Sequence, residues 1–253
     1  MTNKRLLDEF AEEVARHNRI VFFGGAGVST ESGIPDFRSA DGLYNGNYKV
    51  SPETILSDRF FYEHTDLFYD FYRDKMIYPS AKPNVTHKVL AALESMGKLA
   101  AVVTQNIDGL HEAAGSKQVY NLHGSVYRNH CLKCGKRYGL DVITGSTGVP
   151  ECSCGGVIKP DVVLYGEALP EETVLGAIEQ IAAADMLIVG GTSLTVYPAA
   201  GYVRYFGGDV LALVNKSATD YDSVANIVLH CGLGEVFSAV SDYLKLDLSD
   251  SEE

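Results

Sequence analysis

Positive charge is scarce in this 253-residue chain: 21 Lys and Arg stand against 33 Asp and Glu, a formal net charge of −12. Proteins that bind nucleic acid do so largely by neutralising phosphates, so this balance argues against nucleic acid as a direct partner. Long apolar runs are missing as well. No stretch reaches the roughly 18 apolar residues of a transmembrane helix, and no membrane partner is expected. The opening MTNKRLLDEFAEEV places acidic residues where an export signal needs its apolar stretch, which leads to the expectation of a cytoplasmic chain. Internal repeats and low-complexity linkers are also lacking. The acidic surplus suits a basic, lysine-bearing substrate, although solubility alone explains most acidic surfaces. The sequence leaves the oligomeric state open and is compatible with a monomer.

What is present is an ordinary globular composition, 46% hydrophobic and 21% charged, of a length that fits one large domain plus a small insertion. Residues 4–17 carry Leu6, Leu7, Phe10, Ala11 and Val14 at helical spacing. The run 19–24 is short, apolar and ends in glycine, as a buried strand would. Further strands are predicted at 99–104, 119–122, 186–190, 210–214 and 227–229, with helices near 83–96, 171–184 and 234–245. Strands alternating with helices predict an α/β fold, a Rossmann-like parallel sheet with helices on both faces. Two segments interrupt the alternation: an aromatic-rich helical insertion at 45–78 and a turn-rich, cysteine-bearing stretch at 127–158. The expected division is therefore 1–44, 79–126 and 159–253 for the large domain, with the two interruptions forming a smaller one.

Three predicted strand ends carry groups suited to a dinucleotide. Gly24-Gly-Ala-Gly-Val-Ser29 lets the backbone approach a ligand without a Cβ in the way, and the N–H groups that follow favour a diphosphate. It is not the full GxGxxG fingerprint, and a glycine-rich turn can be purely structural. Gly190, Gly191, Thr192 and Ser193 follow the next apolar run, at the strand edge where open α/β sheets bind ligands; the alternative is a helix N-cap. Asn215 and Lys216 end a third, with Asn215 either holding ribose hydroxyls or serving a turn. Hydride-transferring enzymes of this type carry an acidic residue about 20 positions past the fingerprint, at the end of a second strand. Here that stretch is a loop around Asp41, which argues against a standard dehydrogenase.

Chemistry concentrates in three further places. Residues 30–39 form a loop, broken by Gly33 and Pro35, that gathers Asp36, Phe37 and Arg38. Gln105, Asn106 and Asp108 follow the second strand; Asn and Asp can read a carboxamide, while an Asx turn capping the next helix is the structural alternative. His111 reads as structural. His123, before a glycine at the same sheet edge, is the general-base candidate, because imidazole titrates nearest neutrality. Cys131-x2-Cys134 and Cys152-x-Cys154 place four thiolates within two loops. This is a structural zinc set whose full shell leaves no open position for catalysis. Cys231 stands apart, in a loop whose backbone is expected to meet the ligand.

Taken together, GAGVSTESGIPDFRS (25–39), TQNIDGLH (104–111), HGS (123–125), the four cysteines, KPDVVLYGE (159–167), GTSL (191–194) and VNK (214–216) resemble the sirtuins, NAD-dependent protein lysine deacylases, over nearly the whole chain. The resemblance implies that an acyl-lysine oxygen attacks the nicotinamide ribose of NAD and that nicotinamide leaves. His123 then acts as base on a ribose hydroxyl, and lysine and O-acyl-ADP-ribose are released. It implies that Asn106 is catalytic and that Gln105, Ile107 and Asp108 stand with it at the nicotinamide. Phe37 is implied to shield the ribose face. Gly25, Ala26, Gly27, Thr30, Asp36 and Arg38 are implied to be NAD contacts, together with Gly191, Thr192, Ser193, Asn215, Lys216 and Cys231. Val162, Val163, Leu164, Tyr165 and Gly166 resemble the strand that pairs with substrate backbone. Family members often have Phe where Tyr165 stands. Members that favour acidic acyl groups carry Tyr and Arg three residues apart; here Tyr69 and Tyr72 occupy those places, and Arg73 lies a further 100° around the helix. Acetyl or neutral acyl groups are therefore expected over succinyl. The alternatives are an ADP-ribosyltransferase or NAD glycohydrolase using the same pocket, and a non-catalytic NAD-sensing module.

Overall fold

A computed structural model describes residues 3–37, 42–45 and 48–248. In chain order the elements are α1 (Asn3–Arg16), β1 (Ile20–Gly24), α2 (Pro52–Ile55), α3 (Asp58–Glu63), α4 (Thr65–Lys75), α5 (Val85–Ser95), β2 (Leu99–Thr104), α6 (Leu110–Ala113) and β3 (Val119–Asn121). They continue with β4 (Gly124–Cys131), β5 (Arg137–Tyr138), α7 (Asp141–Thr144), β6 (Ile158–Val162), α8 (Glu171–Ala183), β7 (Met186–Gly190), β8 (Val210–Val214), β9 (Ile227–Leu229) and α9 (Leu233–Leu244).

Six strands form one parallel sheet in the order β3-β2-β1-β7-β8-β9. Counting only these strands, that is the 3-2-1-4-5-6 order of the doubly wound dinucleotide-binding fold, whose reversal point lies between β1 and β7. The central strand IVFFG is buried at every position, which explains why it reads as a continuous apolar run rather than an alternation. Its side chains divide between two cores. Ile20 and Phe22 pack with Phe10 of α1, Leu90 and Leu93 of α5, and Phe237 of α9. Val21 and Phe23 face Ala177 and Ile181 of α8 and the helical turn containing Ala199 and Val203. Burying one such large side chain stabilises the fold by about 1.5–3 kcal/mol, so the two layers hold the strand ends in fixed register.

A third core joins α3 and α4 to the cysteine-bearing stretch: Phe61, Phe68, Tyr69 and Tyr72 pack with Ile143, Ile158 and Val162. The antiparallel sheet here, β5-β4-β6, starts earlier and ends later than residues 127–158, because Gly124 pairs with Val162. The eight-residue strand β4 has no clean alternation in burial, and its polar sequence GSVYRNHC gave no strand signal.

Two local features bring the helices to the ligand edge. Asn84 caps α5 by accepting from the Thr86 N–H at 3.0 Å, while its amide donates to the Val28 carbonyl at 2.8 Å and to Ser32 Oγ at 3.0 Å. Glu31 accepts from the Gly234 N–H at the start of α9 at 3.1 Å. The glycine loop is thus held from both sides by residues far along the chain.

Candidate functional site

The parallel strands end together: Gly24 is in register with Thr104 and with Gly190, Thr104 with Asn121, and Gly190 with Val214. Over this edge lies a cavity of about 570 Å³, within the range of small-molecule sites. Of the residues that the resemblance implies for cofactor, substrate or base, all line it except two. Gly25 sits behind, where an added Cβ would come 2.7 Å from the Thr192 Cβ. Arg38 lies outside the described residues.

The loop after β1 differs from expectation in one respect. The amides of Gly25 and Gly27 donate to the carbonyls of Gly190 and Gly191, at 3.2 and 2.8 Å, and two short helical turns follow instead of a helix. Those N–H groups are committed to the neighbouring loop. What the glycines supply is proximity: a Cβ on Gly27 would lie 2.7 Å from the Gly191 Cα, and Gly191 itself adopts φ +62°. The two loops at the reversal point can therefore interlock only as glycines.

Beside them runs a chain of hydrogen bonds. Asn106 Nδ2 donates to Ser29 Oγ at 3.0 Å, and Ser29 Oγ donates to Asp108 Oδ2 at 2.6 Å. Asp108 Oδ1 accepts from the Leu110 N–H at 2.9 Å, so the Asx-turn role considered from sequence is filled as well. Because its amide nitrogen is engaged, Asn106 directs its carbonyl oxygen elsewhere. Burial raises the Asp108 pKa, and the bonds from Ser29 and Leu110 oppose that rise. Ser29 was missed in sequence; its only signal was a hydroxyl directly after the glycine loop.

His123 has its tautomer dictated by one contact. Nδ1 lies 3.0 Å from the Gln105 carbonyl oxygen, which can only accept, so Nδ1 carries the proton and Nε2 keeps its lone pair. Burial lowers the His123 pKa, and the Gln105 bond partly offsets this. The ring is therefore a neutral base at neutral pH. Gln105 Nε2 in turn donates to Thr192 Oγ1 at 3.3 Å, linking the β2 and β7 ends. Asn215 donates to the Ser217 carbonyl at 2.8 Å, the turn role considered for it, while still lining the cavity. His111 is buried in the core against Phe22 and His87, away from the cavity.

The four cysteine sulfurs lie within 4.8 Å of one another. Cys131 and Cys154 are 3.5 Å apart, and Cys134 and Cys152 are 3.7 Å apart. A tetrahedral zinc with bonds of about 2.3 Å has sulfur–sulfur edges of about 3.8 Å, so the donor set fits that ion. Tyr138 Oη donates to Cys152 Sγ at 3.0 Å and the Lys133 N–H to Cys131 Sγ at 3.4 Å, which spreads thiolate charge. No cysteine of the four is among the described residues lining the cavity, as suits a structural ion.

A doubly wound sheet, a cavity at its reversal point and a four-thiolate module define a dinucleotide-binding α/β protein with a metal-holding insertion. Residues 25–198 match the model of the Sir2 family. A Clostridium acetobutylicum protein named NAD-dependent protein deacetylase is 55% identical over 238 residues, covering 92% of this chain and 97% of the relative. A Clostridium perfringens protein of the same name is 54% identical, covering 93% and 98%. Among solved structures, Sir2 bound to acetylated peptide superposes with a TM-score of 0.84 at 37% identity, over 98% of this chain and 100% of that one. Sir2 with p53 peptide and NAD+ gives 0.83 at 39% identity, over 94% and 98%. The chain belongs to the Sir2 family. Among the described residues, no helix is long and apolar enough to cross a membrane.

Proposed function

We propose that this chain removes acyl groups, acetyl foremost, from protein lysine side chains, with NAD as co-substrate and nicotinamide and O-acyl-ADP-ribose as products. The observation that carries this reading is His123: a half-buried, neutral imidazole with Nδ1–H fixed on the Gln105 carbonyl, at the same cavity as Asn106 and Asp108. When bound, NAD supplies an electrophilic ribose carbon and a leaving nicotinamide. His123 Nε2 is the atom that takes a ribose hydroxyl proton. Asn106 and Asp108, locked through Ser29, present amide and carboxyl groups to the carboxamide, and Phe37 covers the ribose face. The edge from Val162 to Gly166 receives the substrate backbone, whose lysine reaches inward between the Rossmann-type unit (1–44, 79–126, 159–253) and the unit made of 45–78 and 127–158. Zinc on the four cysteines braces the latter. The reaction class is group transfer to ADP-ribose.

The acyl preference follows from the insertion. Tyr69 and Tyr72 are fully buried, and Arg73 is spent on the 143–148 loop, donating to the Ile143 carbonyl and Ser146 Oγ at 2.9 Å and to the Gly148 carbonyl at 2.5 Å. None of the three is among the described residues that line the cavity. With that guanidinium turned away, acetyl-lysine is the better substrate than succinyl-lysine; the reverse order of kcat/KM would overturn this. We place the chain in the cytoplasm, where reduced thiols serve as metal ligands.

The test is nicotinamide release from NAD with and without an acetyl-lysine peptide. Release that depends on peptide, loses the acetyl group and falls about 10²–10⁴-fold in His123→Ala supports the reading. The acid limb of kcat/KM is expected below pH 6.5, since burial lowers the pKa of the base. Release without peptide points to a glycohydrolase or ADP-ribosyltransferase. NAD binding with no release on any acyl peptide points to an NAD-sensing module.

A further inference from the structure

We infer that Tyr44 and Tyr165 form a hydroxyl bridge that positions the peptide-facing edge of the cavity against the segment carrying Phe37, an inference that rests on the deacylase reading for the nature of the peptide. The two phenolic oxygens lie 2.5 Å apart, one donating to the other, although 121 residues separate them in sequence.

Each partner is anchored on its own side. The Tyr165 N–H donates to the Leu56 carbonyl at 2.9 Å, and its carbonyl accepts from the Asp58 N–H at 3.0 Å, so α2 and α3 hold its backbone. Leu164 before it is buried. Tyr165 is 41% exposed and lines the cavity. On the other side, the Tyr44 N–H donates to the Phe37 carbonyl at 2.8 Å, and its ring packs on Phe37 with centroids 5.5 Å apart and planes tilted by 59°. The Leu43 N–H donates to the Asp36 carbonyl at 2.8 Å. Asp36, Phe37 and Leu43 line the same cavity.

A continuous path therefore runs from α2 and α3 through the Tyr165 backbone, across the hydroxyl bridge, to Tyr44 and Phe37. Phenylalanine at 165 supplies the same apolar wall; only the hydroxyl supplies the cross-link. A ligand that orders one bank of the mouth orders the other, so peptide and NAD each gain from the bridge. Tyr44 and Tyr165 are positioning residues.

Calorimetric titration of NAD and of an acetyl-lysine peptide tests this in wild type, Tyr44→Phe, Tyr165→Phe and the double variant. Each variant removes one oxygen atom and keeps the ring, and Tm is checked for each. Each single change is expected to weaken both ligands about threefold to tenfold, the range for one neutral hydrogen bond. The double variant is expected to be no weaker than either single, because both changes remove the same hydrogen bond. Effects that multiply in the double variant, or singles that bind as wild type does, overturn the bridge. Should wild type bind no acyl peptide, the deacylase reading falls, and the same cycle on NAD affinity still decides the bridge.

Discussion

Lys159 on β6 is only 6% exposed, an unusual place for an ammonium group. Its Nζ lies 3.0 Å from Glu167 Oε1 and 3.4 Å from both the Pro160 and Val162 carbonyls, over the face of Phe61 at 5.7 Å. Glu167 Oε2 also accepts from the Leu164 N–H at 2.9 Å. The pair therefore clamps the segment Val162–Gly166 from within. Lys159→Met keeps the volume and removes the charge, leaving the Glu167 carboxylate without its cation. Breaking a fully buried pair costs about 3–5 kcal/mol. The Glu167 side chain is 25% exposed, so water recovers part of that, and about 2–3 kcal/mol is expected here. For a chain of this size that is a fall in Tm of roughly 5–10 °C. Adding Glu167→Gln removes the orphaned charge while keeping an acceptor for Leu164, and should restore about 1 kcal/mol or more. Urea unfolding of the two singles and the double variant gives these values. Peptide KM should rise in Lys159→Met while NAD affinity holds. A Lys159→Met protein as stable as wild type, or a double variant that loses the sum of the single costs, refutes the clamp.

Acid sensitivity is expected from the His87–His111 pair, whose rings are 4.7 Å apart. Burial lowers the His87 pKa to about 4; burial and then His87 itself push His111 well below 6.5. The folded state thus binds fewer protons than the unfolded one, so stability is full above about pH 6.5 and falls as pH drops toward 4, by about 1.4 kcal/mol per unit for each ring. Among the described residues, neither ring nitrogen of His111 has a hydrogen-bond partner. His111→Phe should therefore match wild type near pH 7.5 and show a shallower acid slope in urea titrations; an unchanged slope removes His111 from the account. Cys134→Ala should abolish stoichiometric zinc by elemental analysis and lower Tm, because the ion's binding energy contributes to folding of this insertion. Full zinc content in that variant would count against the four-thiolate site.

Much of the fold was legible in the chain because its physics is local. Strands buried on both faces must be short apolar runs, so the six parallel strands were read within a residue or two. Four cysteines in two close pairs state a donor set without any structure. Glycines at 25, 27 and 191 announce close approach, though not what approaches. β4 escaped notice, since a half-exposed strand of polar residues has no distinctive period. Tertiary structure decided the rest. Ser29 reaches Asn106 and Asp108 across 77 and 79 residues, and only the pairing of β1 with β2 brings them together. The proton on His123 Nδ1 is set by a carbonyl on a neighbouring strand end, and composition carries no trace of it. The direction of Arg73 depends on where the 143–148 loop folds back, and the meeting of Tyr44 with Tyr165 on how two distant stretches of chain fold against each other. Residue types and spacing specify which groups are available; strand order and packing decide which of them meet, because hydrogen bonds act over about 3 Å and the chain brings distant segments that close only when folded.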